Sequence, residues 1–292
     1  EISACLVGSE MCIRDRAYMI RSILLAVAIT AVSSASATTV GSKHAIVIDE
    51  SSGKVVFEKN ATDIVPIASL TKLMTAMVVL DAKPDMHERI TVLEDDVDTL
   101  KFSSSRVPVG AVLSRHELLE LALMSSDNRA AHALARSYPG GMEHFKLAVR
   151  SKAHMLNLRR TNIEEPTGLS PYNTSTASDL AKLALAASKY PEIERITTVS
   201  NDLIDVNGSM RQYHNTNKLV GDKNWAISLS KTGYTQEAGR CIIMRVRAAG
   251  RDAIMVLLNA RGSSSRTADA NYLHRLLTKE HHQPVMARLN LK

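Results

Sequence analysis

A chain of 292 residues, 45% hydrophobic and 23% charged, has an ordinary globular balance and the length for one large domain or two small ones. Its formal net charge is +6, yet the basic residues are scattered and aromatics make up only 4%. That argues against a nucleic-acid surface, which concentrates cations and adds stacking groups; it leaves a solvated surface with a mild bias toward anionic surroundings.

Residues 1–18 fit no part of the pattern that begins at Met19 and are read as an upstream or non-native segment. From Met19, "MIRSILLAVAITAVSSASATT" has a basic start at Arg21, an apolar run from Ile23 to Val32 and small residues ending at Ala37. This is the pattern of a cleaved signal peptide over 19–37, and the run is too short to span a bilayer comfortably. Export and cleavage after Ala37 are therefore expected, with 38–292 as the mature domain. Cys5 and Cys12 precede the cleavage point, so the mature chain keeps only Cys241 and no intramolecular disulfide. "RCIIMRV" around it reads as a strand interior, which makes it a buried, inert thiol. The ten histidines are dispersed, with no metal-ligand spacing.

After the signal, "HAIVIDESSGKVVFEKN" reads as a hairpin of strands 44–49 and 54–58 around a Ser-Ser-Gly turn. Positions 70–80 are apolar or small on all sides, as in a buried helix, with Ser69 at its start and Pro84 beyond its end. Ser114 and Glu117 have capping-box spacing and open a helix to Met124. A second helix starts near Asp127 or Asn128, so "SSDN" sits at a turn between helices. A third covers about 142–156, and a turn-rich loop feeds a fourth from about Ser178. Residues 191–225 are mixed. "WAISLSKTGYT", "GRCIIMRVRAAG" and "RDAIMVLLNA" read as three consecutive strands, and a helix over about 267–279 closes the domain. Strands, many helices, then strands and a helix make an α+β fold: an antiparallel sheet carrying a helical subdomain.

Three elements could carry chemistry. Ser-x-x-Lys occurs at 51/54, 69/72 and 228/231, but only Ser69 and Lys72 open a buried helix, where an offset of three stacks both side chains on one face. Desolvation there disfavours the lysine's charge, which suits a base, and a serine hydroxyl needs a base to become a nucleophile. The pair alone is equally readable as an N-cap and a lysine whose head reaches water. Ser126-Asp127-Asn128 could simply cap a helix. Lys231-Thr232-Gly233 ends a strand before a turn; it could offer a cation and a hydroxyl to a carboxylate, with Gly233 allowing close backbone approach.

In this order and these contexts, S-x-x-K, S-D-N and K-T-G are the motifs of penicillin-binding proteins and β-lactamases. "PIASLTKLMTAMVVLDA", "VPVGAVLSRHELLELALMSSDNRAAHALA", "EEPTGLSPYNTSTASDLAKLA", "HNTNKLV" and "SKTGYT" resemble the low-molecular-mass penicillin-binding proteins over roughly 43–280, most closely their D-alanyl-D-alanine endopeptidases. The resemblance implies the serine DD-peptidase/β-lactamase fold and hydrolysis of peptidoglycan stem peptides through an acyl-enzyme, without metal or cofactor. It makes Ser69 the nucleophile, Lys72 its base and Ser126 a proton relay, together with Lys72, to the leaving amine. Asn128 would hold the substrate amide, Lys231 and Thr232 the terminal carboxylate. Backbone N–H groups of Ser69 and Tyr234, beside Gly233, would form the oxyanion hole. β-Lactams would be covalent inhibitors.

D-alanyl-D-alanine carboxypeptidases carry the same residues and are the alternative. A class A β-lactamase needs a deacylating glutamate in an E-x-x-L-N context; here Pro166 and Gly168 break that pattern, so Glu164 and Glu165 are read as loop residues. A non-catalytic wall binder with this fold need not keep all three motifs. Little chain follows Gly233, and the tail "HHQPVMARLNLK" is too short for a second domain or membrane helix, so a periplasmic protein at most loosely attached to the membrane is expected.

Overall fold

The structure is a computed structural model, and it describes residues 40–279. The signal-peptide reading and the tail fall outside the described residues. The strands are β1 His44–Asp49, β2 Val55–Lys59, β3 Val65–Pro66, β4 Arg89–Thr91, β5 Val112–Ser114, β6 Thr174–Ser175, β7 Asn201–Val206, β8 Ser209–His214, β9 Ala226–Thr235, β10 Gly239–Ala248 and β11 Arg251–Ala260. The α-helices are α1 Thr71–Asp81, α2 Arg115–Leu123, α3 Asn128–Arg136, α4 Gly141–Met155, α5 Ala177–Ala187, α6 Pro191–Thr198 and α7 Ser263–Lys279.

Five strands make one antiparallel sheet in the order β2-β1-β11-β10-β9. The N-terminal hairpin thus joins strands arriving late in the chain, with His44 opposite Leu258. Its turn is held by Asp49, whose Oδ1 accepts hydrogen bonds from the Ser51 and Ser52 hydroxyls and the Ser52 amide.

Both faces of the sheet are covered, which explains the near-continuous apolar runs of β10 and β11. Successive side chains point to opposite faces. Ile243, Ile254, Val256 and Leu258 join the core beneath the helical subdomain, whereas Ile242, Met244, Met255 and Leu257 meet Ala270, Leu273 and Leu277 of α7. Cys241 is buried, and burial pushes its thiol up to about 11, so it stays protonated at neutral pH.

α1 runs through the helical core and is buried at every position from Thr71 to Val79. The predicted capping box is present: the Ser114 hydroxyl accepts from the Glu117 amide, and the Glu117 carboxylate accepts from the Ser114 amide. α7 starts at Ser263, four residues before the reading from sequence. The mixed 191–225 region contains α6 and the β7–β8 hairpin. No described helix is long and apolar enough to cross a membrane.

Candidate active site

Ser69 sits in a 3-10 turn, Ala68–Leu70, that leads into α1. Its hydroxyl caps neither helix: the α1 N-cap is Leu70, and no side-chain cap bond is made at either start. Lys72, in the first turn of α1, is 1% exposed, so its head does not reach water. The N-cap and exposed-head readings of this pair both fail. Lys72 Nζ instead donates to Ser69 Oγ at 2.8 Å, Asn128 Oδ1 at 2.6 Å and the Thr167 carbonyl at 2.8 Å. Burial pushes the Lys72 ammonium down to about 8, against the opposing pull of Glu165, Asp127 and Asp98.

The other two Ser-x-x-Lys pairs are eliminated by position. Ser51 serves the exposed hairpin turn at Asp49. Ser228 and Lys231 lie on the strand β9 and make separate contacts: the Ser228 hydroxyl accepts from Arg245, whereas Lys231 Nζ donates to Ser126 Oγ.

Ser-Asp-Asn divides its labour. Asp127 is the α3 N-cap, accepting from the Ala130 amide at 2.9 Å and from the Ser105 hydroxyl at 2.7 Å. Ser126 and Asn128 instead meet lysines, Lys231 and Lys72 respectively. Ser126 has left-handed backbone, φ 62°, a conformation that costs a non-glycine residue about 1 kcal/mol or more. Its Oγ accepts from Lys231 Nζ at 2.8 Å; its partner is that lysine rather than Lys72. Asn128 Nδ2 donates to Ser103 Oγ at 2.8 Å.

Lys231, Thr232 and Gly233 lie inside β9, which continues to Thr235, so the turn comes later than the sequence suggests. β9 pairs with β10 along one edge and is the last strand of the sheet. Lys231 is 1% exposed, and its Nζ also donates to the Thr232 carbonyl at 2.9 Å. Burial first, then repulsion from Lys72 and Arg266, pushes Lys231 well below the usual lysine range. Arg266 is itself buried and donates to the Cys241 carbonyl.

The Thr232 and Thr216 hydroxyls are 2.5 Å apart. Thr216 is held from both sides: Asn215 donates to the Thr197 and Val199 carbonyls, Asn217 to the Ser230 hydroxyl. Tyr234 is half exposed, with the Arg240 guanidinium 3.7 Å from its ring centroid.

Two glycines let backbone segments touch around Ser69. A Cβ on Gly233 would lie 3.0 Å from the Ser69 nitrogen, so β9 runs directly against the serine's turn. Gly168 has φ +88°, and a Cβ there would lie 1.9 Å from the Ala68 carbonyl oxygen. Ala68 is itself left-handed at φ 48°. Gly168→Ala should therefore cost about 3 kcal/mol or more, combining overpacking with backbone strain. A urea midpoint equal to the parent's would refute this contact.

Sequence reading takes Glu164 and Glu165 as loop residues, and both make hydrogen bonds within the loop. Glu165 accepts from the Thr167, Gly168 and Ser170 amides and the Thr167 hydroxyl, bracing the loop that presents the Thr167 carbonyl to Lys72. Glu164 accepts from the Ser170 hydroxyl. Asn173 crosses beneath, accepting from both glutamate amides and donating to Thr71 Oγ1. The 98–106 loop, unremarked in the sequence, reaches over to the sheet: Lys101 pairs with Glu237 in the β9–β10 turn, while Phe102 stands 84% exposed.

The family model described as D-alanyl-D-alanine carboxypeptidase matches residues 31–262. The chain belongs to the D-alanyl-D-alanine carboxypeptidase family. It is therefore a peptidase. Among members of the family it is 43% identical to the D-alanyl-D-alanine endopeptidase of Pseudomonas aeruginosa, over 81% of this chain and 77% of that protein. It is 40% identical to the D-alanyl-D-alanine endopeptidase of Escherichia coli, over 88% and 84%. Penicillin-binding protein D2 of Listeria monocytogenes, solved with cefotaxime bound, superposes with a TM-score of 0.71 at 26% identity, covering 82% of this chain and 98% of that one. The α+β architecture is the serine DD-peptidase fold.

Proposed function

We propose that the protein is a D-alanyl-D-alanine endopeptidase that opens peptidoglycan crosslinks through a Ser69 acyl-enzyme. The observation that carries the chemistry is the 2.8 Å contact between Ser69 Oγ and the buried Lys72 Nζ, whose proton affinity falls near neutrality. The names of the relatives at 40–43% identity support the endopeptidase preference.

When Lys72 is neutral the hydrogen bond reverses and Ser69 donates to Nζ. Ser69 Oγ then attacks the D-alanyl carbonyl carbon as its proton passes to Lys72. The developing oxyanion falls to the Ser69 and Tyr234 amides, a reading supported by the close approach of Gly233 to the serine turn. The C–N bond breaks, and Lys72 returns the proton it took from Ser69 to the leaving amine through the Ser126 hydroxyl, which Lys231 Nζ orients at 2.8 Å. Water then hydrolyses the acyl-enzyme. Asn128 takes the substrate amide on exchanging its Ser103 partner, and Thr232 with Lys231 receives the carboxylate.

Glu165 accepts from three backbone amides and a hydroxyl, which disfavours a role as a deacylating base, so a long-lived penicillin adduct rather than β-lactamase turnover is expected. The protein acts outside the inner membrane, on the expected cleavage after Ala37. Purified enzyme should convert crosslinked muropeptide dimers to monomers. Products limited to monomeric pentapeptides lacking one D-alanine would replace the endopeptidase reading by the carboxypeptidase one.

Lys231→Ala should lower kcat/KM for carboxylate-ended substrates by about 10- to 150-fold, the worth of a charged hydrogen bond of about 1.5–3 kcal/mol. An analogue with the carboxylate amidated should be nearly unaffected. Equal losses on both would assign Lys231 to the Ser126 proton route instead.

A further inference from the structure

Away from Ser69, a cavity of about 500 Å³ opens between the C-terminal half of α4 and segment 157–163. Its floor is apolar, with Val149, Leu158 and Ile163, and its rim carries Arg150, His154 and Arg159. Among the described residues, no carboxylate lines it. Arg150 and His154 stand four residues apart, on one face of α4. Arg159 is oriented by its Nε donating to Asn157 Oδ1 at 2.7 Å.

Glu143 and Asp179, from the elements around the cavity, are committed elsewhere. Glu143 pairs with Lys146 at 2.9 Å. Asp179 pairs with Lys182 and accepts from the Arg160 amide. Arg150 and Arg159 therefore line the same space, and no carboxylate of the described residues lines it with them. Guanidinium forks match carboxylates bidentately, and an apolar floor beneath them suits an alanyl methyl or a sugar face. The cavity wall continues from Asn162 and Ile163 into the loop that presents the Thr167 carbonyl to Lys72.

We propose that this groove is a second binding site for the wall polymer, taking a carboxylate-bearing stem peptide through Arg150 and Arg159. The inference rests on the proposed wall substrate but not on the proposed chemistry. It gives the enzyme a hold on the sacculus that is independent of the scissile bond.

The test uses full-length protein acylated with penicillin, so that the active site is filled, and purified sacculi freed of phosphate polymers. Arg150→Gln/Arg159→Gln should co-sediment about 10-fold more weakly than the parent, whose own binding should weaken with salt. Amidating the sacculus carboxylates should bring the parent down to the variant's level. The variant's penicillin acylation rate should equal the parent's; acylation is read by mass, so loss of the active-site reading and loss of the groove are told apart. Undiminished sedimentation of the variant would overturn the proposal. So would a loss matched by slowed acylation, or parent binding that appears only on sacculi still carrying phosphate polymers.

Discussion

Ser69→Ala is expected to abolish covalent labelling by fluorescent penicillin, a fall in acylation of at least about 10,000-fold. The fold should survive. Ser69 caps no helix, so the substitution removes only the acceptor of one Lys72 hydrogen bond, worth about 1 kcal/mol. Circular dichroism and a urea midpoint would separate lost chemistry from lost structure. Persistent labelling in a folded Ser69→Ala protein would place the nucleophile elsewhere.

Lys72→Ala should be equally inert, and the double variant no worse than either single one, because nucleophile and base act as one unit. Alanine also strips a donor from Asn128 Oδ1 and the Thr167 carbonyl, so Lys72→Arg is the sharper probe. Arginine keeps a cation but does not lose its proton in a protein, and should be folded and unreactive. The sign of the pH dependence follows directly. Below about 8 Lys72 holds its proton and cannot take another from Ser69; above it the neutral amine accumulates. The acylation rate constant of the parent should therefore rise with pH and be half-maximal near 8. A rate flat from about pH 6 to 9, or an active Lys72→Arg protein, would remove Lys72 from the base role.

The architecture is largely legible because its signals are local. Two-sided apolar runs mark β10 and β11, an apolar surface all round marks α1, and Ser114 with Glu117 marks the start of α2. α7 begins earlier than the sequence suggests because "SSSR" has poor helix propensity, which packing of Ala270, Leu273 and Leu277 overrides. α6 and the β7–β8 hairpin escape a sequence reading because they are short elements with strongly mixed patterns.

At the site, the residues named from motifs come together, but the devices that hold them do not show in the sequence. Ala68 and Ser126 adopt left-handed backbone, and neither residue type advertises it. The Thr167 carbonyl is a backbone atom that any residue could supply, and it meets Lys72 across 95 positions of chain. The pairing of Lys101 with Glu237 spans 136 positions and has no local signature.

Lys231 is buried, and burial first, then the charges of Lys72 and Arg266, disfavours its protonated form. Any proton Lys231 keeps is therefore held against burial and repulsion in the resting state. An apolar side chain of similar length at 231 would relieve that repulsion and leave the pocket unable to recognise an anion. The most heat-tolerant version of this protein is thus predicted to be one that has lost its substrate. Conversely, a carboxylate entering the pocket neutralises a stress that the fold otherwise carries alone, so occupancy itself should protect the enzyme against heat.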